Sequence, residues 1–86
     1  MMSSKVEIKV KFFASSRDIV GSREIEMEIE KGSKTKDVLG ILVEEYPGLK
    51  ELKDQLILAV NKQTSKGNKI LEEGDEVAVL PPVSGG

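Results

Sequence analysis

The sequence predicts an α+β domain: a mixed sheet of four or five strands with one main helix packed across it. Three observations carry this. Two stretches near the start, VEIKVKFF (Val6–Phe13) and REIEMEIE (Arg23–Glu30), alternate apolar and mostly charged residues with the period of a half-buried strand. A middle stretch instead repeats its apolar residues at helical spacing: Val38, Leu39, Leu42, Val43 and Tyr46. Two short apolar runs, LILAVN (Leu56–Asn61) and EVAVL (Glu76–Leu80), then read as further strands. One amphipathic helix needs one sheet face to bury its stripe, which makes a two-layer domain.

In the first strand Val6, Ile8, Val10 and Phe12 point to the core, while Glu7, Lys9, Lys11 and Phe13 point away. ASSRDIVGS is long for a hairpin loop and is expected to hold a helical turn around Arg17–Val20. In the second strand Ile25, Met27 and Ile29 face in. Glu24, Glu26 and Glu28 face out, where an antiparallel hairpin sets them opposite the outward lysines. KGSKT starts the helix, with Ser33 or Thr35 capping its free amides. Gly40 lies mid-helix but off the stripe, at a cost of about 1 kcal/mol against Ala. Pro47 and Gly48 end the helix. LKELKDQ reads as a short second helix or turn, KQTSKGNK (Lys62–Lys69) as a polar loop, and ILEEGDEV as containing a turn at Glu73–Asp75. With the last strand parallel beside the first, through a right-handed crossover, this order gives the β-grasp arrangement. The expected organisation is one domain over residues 1–80 and a flexible tail over 81–86.

Composition excludes several function classes. The 86 residues carry a net charge of −2, which gives no electrostatic reason to seek nucleic acid or an anionic membrane. No apolar run approaches the roughly 20 residues of a membrane helix. The opening MMSSKVEIKVK is charged and alternating rather than an apolar leader, so the expected location is cytoplasmic. There is no Cys and no His. That removes thiol nucleophiles, disulfides, Cys/His zinc sites, the Ser-His-Asp arrangement and imidazole acid–base chemistry. The chain is expected to enter a reaction as a substrate rather than as the catalyst. It is expected to bind no metal or stable cofactor.

The chemistry concentrates in the last six residues, PPVSGG. With glycine near 7% of residues, a terminal Gly-Gly arises by chance at about 0.5%. Gly85 and Gly86 have no side chains to clash in a narrow channel. Pro81 and Pro82 favour an extended approach and reduce the entropy lost on ordering the tail. Ser84 adds small polar spacing. A terminal carboxylate is a poor electrophile and needs activation, for example as an acyl-adenylate made by a partner that uses ATP. Strand parity places Val77 and Val79 toward the helix, with Ala78 and Leu80 facing out. If the first and last strands are neighbours, Phe13 and Leu80 form an apolar docking patch beside the tail root, joined by Ile57 and Ala59.

Three pieces, VKFFASSRDIVG (Val10–Gly21), AVN (Ala59–Asn61) and LEEGDEVAVLPPVSGG (Leu71–Gly86), resemble the family of MoaD, the small subunit of molybdopterin synthase, and the related ThiS group. The match spans most of the chain, and GDEVAVLPPVSGG is its specific block. The resemblance implies a ubiquitin-like β-grasp fold, adenylation of Gly86 by an E1-like enzyme, and conversion of the terminus to a thiocarboxylate that donates sulfur. It implies that the tail (Pro81, Pro82, Val83, Ser84, Gly85 and Gly86) inserts into the synthase large subunit. Phe13 and Leu80 would contact the activating enzyme and that subunit. An Arg matching Arg17 belongs to the pattern, with a surface or salt-bridge role as its ordinary reading. Small archaeal modifier proteins look similar and are joined through their terminal glycine to lysines of other proteins. Three functions are therefore open: sulfur carrier, protein modifier, and an interaction domain with an incidental Gly-Gly. A monomer is expected in isolation.

Overall fold

The computed structural model describes residues 4–65 and 68–81. Five strands make one sheet in the order β2-β1-β5-β3-β4. They are β1 (Lys5–Phe12), β2 (Glu24–Glu30), β3 (Ile57–Val60), β4 (Gln63–Ser65) and β5 (Glu76–Leu80). Helix α1 (Ala14–Val20) joins β1 to β2. Helix α2 (Thr35–Glu45) and a 3₁₀ turn (Pro47–Leu52) join β2 to β3. β1 pairs antiparallel with β2 and parallel with β5, and β3 pairs antiparallel with both β4 and β5. This is the β-grasp arrangement, with the two chain-terminal strands side by side at the centre.

The inward parity of the strands builds the core. Val38 and Leu42 of α2 are fully buried against a floor that includes Ile8, Val10, Phe12, Val77 and Val79. Burying each such side chain contributes on the order of 1.5–3 kcal/mol. Tyr46, at the end of α2, meets Phe12 edge-on at a centroid distance of 6.2 Å. Gly48 follows because a Cβ there would lie 2.8 Å from Ile19 Cγ2 of α1.

Three local expectations change. The turn around Arg17–Val20 is a longer helix, Ala14–Val20, closed by Gly21 at φ 82°, whose amide donates to the Arg17 carbonyl at 2.7 Å. Neither Ser33 nor Thr35 caps α2. Lys34 is the N-cap, and its amide donates to the Asp37 carboxylate at 2.8 Å. Backbone pairing holds this segment: Thr35 N–H donates to Lys69 O at 3.1 Å and Leu71 N–H to Ser33 O at 2.9 Å. An acid in the first turn also suits the helix dipole. Part of KQTSKGNK is strand rather than loop, since Gln63–Ser65 pairs with β3. Asn61 and Lys62 turn the chain at φ 50° and 73°, the left-handed geometry that a two-residue hairpin needs.

Glutamates do line up with lysines across β1 and β2, but the ion pairs run diagonally. Lys9 faces Glu26 yet lies 3.6 Å from Glu24, and Lys5 lies 3.9 Å from Glu28. The diagonal from Lys5 offsets the like-charge rung of Glu7 opposite Glu28. Exposed pairs of this kind contribute about 0–1 kcal/mol each. Among the described residues no helix is long and apolar enough to cross a membrane.

Candidate functional site: the root of the C-terminal tail

β5 is the last strand among the described residues, and the segment expected from the sequence to form a tail begins at its end. Because β5 lies between β1 and β3, residues from three strands surround that end. Lys11, Ala78 and Ala59 share one rung, and Leu80 and Ile57 share another. The Phe13 amide extends the β1–β5 ladder with a bond to the Val79 carbonyl at 3.3 Å. Its extended backbone (φ −128°, ψ 147°) keeps strand parity, so its side chain lies on the open face with Leu80. Phe13 is 44% exposed and Ile57 38%, while Leu80 and Pro81 are half-buried. Phe12, one residue earlier, is in the core.

Ala59 departs from the expectation. It shares the rung but is only 6% exposed, because a methyl on an interior strand, flanked by β4 and β5, sits below its neighbours. The exposed patch is therefore Phe13, Leu80 and Ile57. Lys11 pairs with Glu76 at 3.1 Å on its border. Pro82, Val83, Ser84, Gly85 and Gly86 lie outside the described residues.

The strand β5 is fixed at its other end by a polar cluster. Asn61 Nδ2 donates to Asp75 Oδ1 and the Glu76 amide donates to Asn61 Oδ1, both at 3.0 Å. The Glu72 amide donates to Asp75 Oδ2 at 2.8 Å, and the Gly74 amide donates to the Glu7 carbonyl at 2.8 Å. The AVN and EEGD motifs thus aim β5; they do not form a reactive centre. Arg17 stands exposed on α1, where with Asp18, Gly21, Ser22 and Arg23 it lines an open cleft. No group of acidic residues able to hold a metal occurs among the described residues. Ser16 escaped the sequence reading, yet it is fully buried and its hydroxyl touches both Phe13 and Val79. Only its place three residues after Phe13, the N3 position of α1, was available as a signal.

A five-stranded β-grasp sheet with a helix packed across it, among the described residues, defines a ubiquitin-like fold. The particular group follows from comparison with known proteins: the chain belongs to the ThiS family, whose model matches residues 10–86. It is 37% identical over 84 residues to the molybdopterin synthase sulfur carrier subunit of Arabidopsis thaliana, covering 98% of this chain and 88% of that one. The Chlamydomonas reinhardtii protein of the same name is 35% identical, covering 94% of this chain and all of that one. Among solved structures, the HVO 2177 protein of Haloferax volcanii superposes with a TM-score of 0.90 at 29% identity, covering 100% of this chain and 92% of that one. SAMP1 of the same organism gives 0.81 at 27% identity, covering 93% and 99%. The complex of subunits 1 and 2 of the Helicobacter pylori molybdopterin-converting factor gives 0.65 at 28% identity, covering 94% and 100%.

Proposed function

We propose that this chain is a sulfur carrier for molybdopterin synthesis, with the carboxylate of Gly86 as its reacting end. The observation that carries the reading is the parallel pairing of β1 with β5, which sets Phe13 beside Leu80 where the chain leaves the sheet toward the glycines. Relatives named as sulfur carrier subunits, over nearly the whole chain, support the class of chemistry.

An E1-like partner would dock on Phe13, Leu80 and Ile57 and take the tail into its nucleotide site. A Gly86 carboxylate oxygen attacks the α-phosphorus of ATP and pyrophosphate leaves. A sulfide-level nucleophile then attacks the acyl carbon and AMP leaves, giving the thiocarboxylate. The chain's own part is to bind, to present an extended tail, and to offer no side chain at its end. ATP belongs to the partner. The large subunit of a molybdopterin synthase is the proposed acceptor, a pairing of the kind named in the Helicobacter pylori complex. The similarity to SAMP1 favours one second reading, attachment of Gly86 to lysines of other proteins after the same first step.

The test is incubation with ATP and the activating enzyme from the source cell. Acyl-adenylate should form on the full chain and not on one lacking Gly86. Equal adenylation of both would refute the proposal.

A further inference from the structure

Ser16 and Thr35 are the buried polar residues among those described. Ser16 Oγ lies 2.7 Å from the Phe13 carbonyl oxygen, 3.1 Å from the Val79 carbonyl oxygen and 3.2 Å from the Phe13 amide nitrogen. A hydroxyl has one proton to donate and lone pairs to accept with. Here the proton is shared toward the carbonyls of Phe13, just past β1, and of Val79 on β5, and the oxygen receives the Phe13 N–H. That same N–H also reaches the Val79 carbonyl at 3.3 Å. The knot forms where the β1–β5 ladder ends. The next residue, Ala14, leaves the sheet at φ 51°, a left-handed conformation unfavourable for a residue with a Cβ. Beyond the single 3.3 Å bond from the Phe13 amide to the Val79 carbonyl, the ladder gives Phe13 no further hold on β5, and Ser16 adds a second tie to the same carbonyl.

We propose that Ser16 is a positioning residue whose hydroxyl fixes Phe13 against Val79, keeping the docking phenylalanine in register with the tail root. The inference rests on the reading of Gly86 as the activated end. It differs from a space-filling role because it depends on the hydroxyl and acts through Phe13.

ATP–pyrophosphate exchange by the source cell's activating enzyme, with the full chain as substrate, tests it. Ser16→Ala should raise KM about three- to tenfold, the scale of one lost hydrogen bond, with kcat within about twofold. The double variant with Phe13→Ala should be no worse than Phe13→Ala alone, because the two residues act in series. Ser16→Thr and Ser16→Val differ only in the hydroxyl and keep the comparison valid if Ser16→Ala folds poorly. Thr should retain the lower KM and Val should lose it. Additive effects, or equal KM for Thr and Val, would overturn the proposal.

Amide hydrogen exchange on the isolated chain gives a second arm. The Phe13 amide should exchange faster in Ser16→Val than in Ser16→Thr while Val10 stays protected in both. Equal exchange at Phe13 overturns the proposal. If the unaltered chain is not adenylated at all, the Gly86 reading fails, and this arm alone judges Ser16.

Discussion

The open face of the sheet has two halves made by one alternation. On β1 and β2 the outward positions are Lys5, Glu7, Lys9, Lys11, Glu24, Glu26, Glu28 and Glu30, with diagonal ion pairs from Lys5 and Lys9 across them. On β5 and β3 they are Glu76, which pairs with Lys11, and then Ala78, Leu80, Ala59 and Ile57, with Phe13 completing the apolar patch. The charged half ends at the edge strand β2, where a row of glutamates discourages pairing with another sheet. The apolar half sits at the C-terminal end of β5, where Leu80 and Pro81 lead on to the last residues of the sequence. The difference teaches that the fold sets only which residues point out. What they do is decided by the side chains placed there and by where the chain goes next.

The comparison can be broken most severely at the terminus. Removing Gly86 should abolish adenylation while the melting temperature stays within about 1 °C, measured by calorimetry beside the exchange assay. The two phenylalanines separate core from patch. Phe12→Ala should cost about 3–5 kcal/mol in urea unfolding. Phe13→Ala should change stability by no more than about 0.5 kcal/mol. It should nevertheless weaken docking to the activating enzyme by about tenfold or more in titration calorimetry, given the 1.5–3 kcal/mol that burying such a ring contributes. At the β3–β4 turn, Lys62→Gly should raise stability by up to about 1 kcal/mol, since glycine takes the left-handed conformation without a Cβ penalty. The smallest effect belongs to the charged half. Replacing Lys9 and Glu24 together with Gln should move stability by less than about 1 kcal/mol, and less still in high salt.

The strands β1, β2 and β5 were legible because period-two alternation is a strong local signal, and β5 is bounded as expected, Glu76–Leu80. The patch followed from parity alone, apart from Ala59, whose burial depends on flanking strands that parity does not describe. β4 was hidden because Asn61-Lys62 lacks the glycine that usually marks such a turn. The helix cap was misplaced because Ser33 and Thr35 are good caps in isolation, while the pairing of that segment with Lys69 and Leu71 is a tertiary contact. Ser16 was invisible for the same reason: its partner Val79 lies 63 residues away.

Mass spectrometry of the tagged protein recovered from its own cells tests the central claim most directly. Trypsin leaves ILEEGDEVAVLPPVSGG whole, since no Lys or Arg follows Lys69. The account predicts this peptide free, with one oxygen of the Gly86 carboxylate replaced by sulfur. The same peptide found only on lysines of other proteins would contradict the carrier reading in favour of a modifier. The unmodified acid alone would contradict both.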